Sequence, residues 1–333
     1  MRVLHIAAQS CHTGLRALYV SQAQQLRQQA AGDGSRPGGQ QLFELAHGGL
    51  LTKLRPGARA LLEALAPFFE LHVYTMGDRN YAHLCARLLD PESRLLGARI
   101  VSKADSTALG AKDLDVLLTS DASCLILDDS EHVWPRHGPN LLRVERYHYF
   151  PRSAAAFREP GTGLWAAGRD EDEGSGCMSA LTAALQACHA AFFDGLPPAG
   201  DPALGGAASL RDVRAVLAAQ RARVLAGCCV AFSGIIPLGC ARPTAHPTWL
   251  LALSLGAVVD DAPTARTTHL VASKPGTAKG DAAAKAGLHC VQPAWLQAAA
   301  VLWRRPDESL YPLVPPPAPG AGKKTEAAAE ETS

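Results

Sequence analysis

Cys124-Leu125-Ile126-Leu127-Asp128-Asp129-Ser130 is a short apolar run that ends on two adjacent carboxylates. A strand apolar on both sides is one buried on both faces, as in a parallel sheet covered by helices. Two ionised carboxylates at its end are costly in a dry crevice unless a cation or a strong hydrogen-bond set compensates them. Hard oxygen ligands that keep several waters suit magnesium, commonly beside a substrate phosphate. The plainer alternative is that Asp129 or Ser130 only caps the following turn.

Upstream, Pro56 is placed for a first helical turn, and Ala58, Leu61, Leu62 and Leu65 fall at helical spacing. Leu71-His72-Val73-Tyr74 reads as a strand ending in Thr75-Met76-Gly77-Asp78. Tyr81, Leu84, Cys85 and Leu88 then mark a helix that closes at Asp90-Pro91. Ile100-Val101 is a further short strand, and Lys112-Asp113-Leu114 opens a helical turn before the central one. Near the start, the apolar run Val3 to Ala8 leads into Gln9-Ser10-Cys11-His12-Thr13, a Gln-rich helical stretch and a Gly/Pro-rich loop from Gly32 to Gly39. Helices alternating with short apolar strands predict an α/β fold with a doubly wound parallel sheet. Ligands of such sheets bind beyond the carboxyl ends of the strands. Thr75 and the Asp128/Asp129 pair are therefore expected on one rim.

Downstream of Phe150 the pattern loosens. Pro160-Gly161-Thr162-Gly163 and the acidic run from Arg169 to Gly174 read as a solvated linker, with one helix expected over Ser179 to Phe192 and another marked by Leu210, Val213 and Leu217 and leading to Gly227. A second α/β alternation follows: strand Cys229 to Phe232, a turn at Ser233-Gly234, helix Trp249 to Leu255 and strand Val258-Val259. Strand His269 to Val271, helix Asp281 to Ala286, strand His289 to Val291 and a helix from Pro293 to Trp303 complete it. The composition of the tail after Pro312 predicts disorder. The expected organisation is an N-terminal segment 1–42, a first domain 43–150, a helical linker 151–221, a second domain 222–313 and a tail 314–333.

A hydrophobic content of 47% and a charged content of 19% suit packed cores rather than a disordered chain. A net charge of +1 argues against a broad nucleic-acid-binding face. Nine cysteines without a CxxC pair fit neither a zinc ribbon nor a disulfide framework, so a reducing compartment is expected. No run reaches membrane-spanning length, and no leader pattern follows Met1; a soluble intracellular protein is expected.

Val73-Tyr74-Thr75-Met76-Gly77-Asp78-Arg79, Lys112-Asp113-Leu114 and Leu127-Asp128-Asp129-Ser130, together with Val133-Trp134-Pro135, Asn140-Leu141 and Tyr147-His148-Tyr149-Phe150, resemble one family. It is the RNA polymerase II C-terminal-domain phosphatases, the TFIIF-interacting, BRCT-bearing branch of the haloacid dehalogenase superfamily. The resemblance covers roughly residues 43 to 150 and implies a haloacid-dehalogenase-like sheet. It also implies a Mg2+-dependent phosphoserine phosphatase acting on the polymerase tail through an aspartyl-phosphate. By the same resemblance, Thr75 would hydrogen-bond the phosphoryl oxygens and Lys112 would neutralise their charge, while Asp128 and Asp129 would hold the metal. The phosphorylated polymerase repeats, TFIIF and a nuclear location are further implications.

The first motif of that family, Asp-x-Asp-x-Thr, is absent. In the best-matching stretch Gln9 and Cys11 stand at the two aspartate places and Thr13 at the third. Glutamine cannot form an aspartyl-phosphate, and a thiol is a poor substitute for a magnesium-binding acid. Three explanations stay open: a gene model cut short, a pseudophosphatase, or a nucleophile supplied from elsewhere. The alternative function is a phosphopeptide-binding protein that reads the polymerase tail without cleaving it. Residues from about 222 to 313 resemble a BRCT domain through Phe232-Ser233-Gly234, Gly256 to Val259, Thr268 to Val271 and Trp295. There the resemblance implies phosphate held by the Ser233 hydroxyl, the Gly234 amide and Lys279, a donor set that suits an anion at a helix N-terminus. Otherwise Ser233 and Gly234 make only a turn and Lys279 is solvated.

Overall fold

The computed structural model describes residues 3–6, 10–14, 41–45, 50–117, 119–157, 163–196, 211–237 and 239–313. Gln9, the Gln-rich stretch, the loop 32–39 and the tail 314–333 lie outside them. The chain divides into two compact units, Met1–Gln220 and Arg221–Ser333.

In the first unit, β1 (Val3–Ile6) pairs in parallel with both β5 (Glu70–Tyr74) and β7 (Cys124–Asp128). With β6 (Ile100–Val101) beyond β5 and β8 (Leu141–Arg143) beyond β7, also parallel, the sheet order is β6-β5-β1-β7-β8. All five residues of β7 are buried, as its unbroken apolar run requires. A separate antiparallel sheet joins β2 (Ser10–Gly14), β4 (Leu50–Leu54) and β3 (Leu42–Leu45).

Helix α1 (Ala58–Leu65) buries Ala58, Leu61, Leu62 and Leu65, the four positions its spacing predicts. Pro56 lies before the helix rather than in its first turn, because Gly57 takes a left-handed conformation (φ +77°) and interrupts the helical path ahead of Ala58. In α2 (Arg79–Leu89) the Asp78 carboxylate caps the start by accepting from the Tyr81 amide at 2.9 Å. Next come α3 (Pro151–Ala156), α4 (Cys177–Phe193) and α5 (Val213–Arg221).

The acidic run around Asp170 is not a solvated linker. Asp170 pairs with the buried Lys53 at 3.0 Å and accepts from the Tyr147 hydroxyl at 2.7 Å. Glu171 forms a two-pronged pair with Arg55, at 2.8 Å and 2.6 Å, and Arg55 also donates to the Glu145 carbonyl at 2.6 Å. Burial pulls the Lys53 ammonium below its ordinary pKa against the opposing pull of Asp170. Two buried cations, Lys53 on β4 and Arg55 just after it, thus recruit two carboxylates from far along the chain.

In the second unit a parallel sheet has the order β10 (Val258–Asp260), β9 (Cys229–Ser233), β11 (His269–Ala272), β12 (His289–Val291). Helices α6 (Pro247–Ser254), α7 (Ala278–Lys285) and α8 (Pro293–Leu302) connect or follow these strands. Its core gathers Val230, Phe232, Trp249, Leu255, Val271, Trp295 and Leu296. Among the described residues no helix is long and apolar enough to cross a membrane, and the described cysteines are free thiols.

Candidate active site

Because β5 and β7 both run parallel to β1, Thr75 and the Asp128/Asp129 pair leave the sheet on the same rim. The expected co-location is therefore present. Thr75 is held by its amide, which donates to the Val101 carbonyl at 2.9 Å, and its hydroxyl oxygen accepts from the Gly77 amide at 3.1 Å. This is the turn-capping arrangement weighed from sequence; it also leaves the hydroxyl proton as a donor.

Lys112 and Asp128 are brought into direct contact. The ammonium lies 2.6 Å from Asp128 Oδ2, and the Trp134 indole N–H donates to the same oxygen at 2.8 Å. Asp128 Oδ1 accepts from the Ser130 amide at 3.0 Å. Lys112 is 6% exposed and Asp128 2%, so both charges are out of water and depend on each other. The rings of Tyr74 and Trp134 stand 5.6 and 5.5 Å from the ammonium. The loop bearing Lys112 is fixed by its amide on the Val133 carbonyl at 2.7 Å. Beside it, Asp113 accepts from His137 at 2.9 Å and from Arg136 at 3.0 Å. Burial alone would raise the Asp113 pKa; the His137, Asp115-amide and Arg136 contacts outweigh it and hold the carboxyl below its usual range.

Asp129 is half-buried and differently partnered, accepting from Arg146 Nε at 2.8 Å. Burial first, then a hydrogen bond with Asp128, pushes its carboxyl pKa up, while Arg146 pulls the other way. The donor chemistry fits magnesium, since the rim offers hard carboxylate oxygen at a half-buried edge, and such ions are commonly held by one or two carboxylates plus substrate phosphate. Asp129 is the carboxylate suited to direct contact, because both oxygens of Asp128 are already engaged. Among the described residues no group of three or more His, Cys, Asp or Glu gathers as a metal site. The side chains of Gln9 and Cys11 lie outside what the structure describes.

In the second unit, Ser233 ends β9 and its hydroxyl stands 3.2 Å from that of Thr277, the N-cap of α7, which accepts from the Gly280 amide at 3.0 Å. Gly234 has φ +67°, and a Cβ there would lie 2.7 Å from Ser273 Oγ. Ser233, Gly234 and the α7 N-terminus are thus neighbours, as expected. Lys279 sits in the first turn of α7, but its exposed ammonium reaches the Asp261 carbonyl at 3.5 Å. Sequence reasoning missed Thr277 and Arg146. A threonine after Pro275-Gly276 and before a helix was a readable capping signal. Arg146 gave none, because its partner is set by strand register.

A family profile described as NLI interacting factor-like phosphatase matches residues 28–155, and a BRCA1 C Terminus (BRCT) domain profile matches residues 243–299. The chain carries an NLI interacting factor-like phosphatase domain and a BRCT domain. The RNA polymerase II C-terminal domain phosphatase-like 4 of Arabidopsis thaliana is 37% identical over 281 residues, 84% of this chain and 62% of that protein. The phosphatase-like 3 of the same plant is 38% identical over 282 residues, 82% of this chain and 22% of that protein. The chain therefore spans less than two thirds of the length of either relative. A solved structure titled "The Structure of Fcp1, an essential RNA polymerase II CTD phosphatase" covers 94% of this chain and 95% of its own at 23% identity, with a TM-score of 0.64, and supports the fold. Both relatives are named as RNA polymerase II C-terminal domain phosphatase-like, the two domains read from sequence match the two profiles, and the α/β fold class holds.

Proposed function

We propose that this chain acts on phosphoserine in the C-terminal repeats of RNA polymerase II, and so in the nucleus, as a phosphatase of the kind its relatives are named for. The observation that carries this reading is the placement of Thr75 on the rim that also holds the Lys112–Asp128 pair. Thr75 donates its hydroxyl proton to a phosphoryl oxygen. Lys112, anchored by Asp128, whose Oδ2 also accepts from the Trp134 N–H, supplies fixed positive charge, and phosphoryl transfer depends chiefly on such positioning and charge stabilisation. Magnesium, when bound at Asp129, supplies further neutralisation of phosphoryl charge. Ser233, the Gly234 amide and Lys279 hold a second phosphate of the same tail, Lys279 first leaving the Asp261 carbonyl.

One observation favours a second reading. By the sequence resemblance, Gln9 and Cys11 stand at the places of the family's nucleophilic and general-acid aspartates. A rim that keeps its phosphate-binding groups but lacks the attacking carboxylate retains phosphopeptides instead of cleaving them. The two readings separate in one experiment. The full chain and a Gln9→Asp/Cys11→Asp variant are incubated with Mg2+ and a phosphoserine heptad peptide, and phosphate release is followed beside peptide binding. Turnover by the unaltered chain, abolished by Asp129→Asn, supports the phosphatase. Binding without turnover, with release restored in the double variant, supports the reader. No binding and no turnover in either overturns both.

A further inference from the structure

The two carboxylates of the rim are each compensated by a different cation, and only one of these belongs to the phosphate-handling set. Asp128 is matched by Lys112 at 2.6 Å. Asp129 is matched by Arg146 at 2.8 Å, with side chains 28% and 24% exposed respectively. Arg146 is brought there by sheet register. Asp128 pairs with Arg143 across β7 and β8, and the Val144 amide donates to the Asp128 carbonyl at 2.9 Å, so the chain is still alongside the end of β7 two residues later. On its other side the guanidinium lies over the Phe157 ring at 4.4 Å. Phe157 follows α3 and is 53% exposed. A planar cation held between an aromatic face and a carboxylate is a preorganised ion pair rather than a loose surface contact.

A divalent cation and a guanidinium compete for the same carboxylate oxygens. A metal arriving at Asp129 either displaces Arg146 or stands within repulsive reach of it, whereas the Lys112–Asp128 pair need not move. We propose that Arg146, clamped on Phe157, is a counter-ion of Asp129 that competes with a divalent metal for its carboxylate and so sets how tightly that metal binds there. Arg146 is thus a positioning residue that sets the threshold for metal entry. The proposal rests on Asp129 as the metal-contacting carboxylate, but not on turnover.

The test is metal binding to the full chain, read by Mn2+ electron paramagnetic resonance and by calorimetry with Mg2+, without substrate. Arg146→Gln is expected to bind Mn2+ at least tenfold more tightly than the unaltered chain, and Arg146→Lys to remain close to it. Phe157→Leu, an exposed change that spares the carboxylate, is expected to tighten binding by a smaller factor. Adding Asp129→Asn to Arg146→Gln is expected to abolish the gain. Equal affinity of the unaltered and Arg146→Gln chains, weaker binding in Arg146→Gln, or a gain that survives Asp129→Asn would each overturn the proposal. Absence of Mn2+ binding in every variant would also overturn it. Because the readout is binding, its failure is separable from a failure to hydrolyse phosphoserine.

Discussion

At the scale of single residues, Asp128 shows how a motif can be correctly located and only partly interpreted. Its position after a doubly buried strand was legible, and so was the demand for a compensating cation. That the cation is Lys112, sixteen residues earlier, was not legible, because nothing local fixes how that loop lies against the strand. Removing one partner of a buried pair costs about 3–5 kcal/mol, whereas replacing both with apolar groups is often near neutral. Lys112→Met is therefore expected to destabilise the first unit by that amount, and Lys112→Met/Asp128→Leu to recover most of it, in urea unfolding followed by fluorescence. A single variant within about 1 kcal/mol of the unaltered chain would show that the pair is solvated after all.

At the scale of elements, the strands and helices with clean periodicity were readable: α1, α2, α4, β5, β7 and the alternating elements of the second unit. Strands β3 and β4 were not, since Thr52 and Lys53 interrupt the apolar pattern and are nonetheless buried. Charged residues are almost never fully buried unless paired, and their partners lay in a run whose composition suggested solvent. In the second unit Gly256 after α6 has φ +88°, and a Cβ there would sit 1.7 Å from the Ala222 carbonyl oxygen. Gly256→Ala is expected to cost well beyond the about 1–2 kcal/mol of a left-handed residue alone, measured as loss of the second unit's unfolding transition. A normal transition would mean that residue 222 can move aside.

At the scale of the whole molecule, the second unit carries a built-in response to acid. In it, His269 is fully buried, stacked on Trp295 and His289 at centroid distances of 4.6 and 5.0 Å, with Nε2 3.1 Å from Glu308 and Arg305 close by. Burial chiefly, with Arg305 and His289 assisting and Glu308 opposing, holds the His269 pKa below its ordinary value. Below about pH 6.5 the unfolded chain takes up a proton that the folded unit resists, so this stability is complete above that pH and is lost on acidification. Glu308, held at about 2, adds loss in the same direction at lower pH. Calorimetry of the full chain should show the second unit's transition falling between pH 7.5 and 5, by at most about 1.4 kcal/mol per pH unit from His269. A transition unmoved over that range would mean His269 is protonated in the fold.

The clasp of Arg55 by Glu171 spans 116 residues. On a ribosome adding about 5–20 residues per second, Arg55 waits about 6 to 23 seconds for the carboxylate that neutralises it. During that interval Lys53 and Arg55 are exposed cations on an unfinished surface, open to any passing polyanion. Translation speed between codons 55 and 171, and the chaperones present meanwhile, should thus govern how much chain reaches the native state.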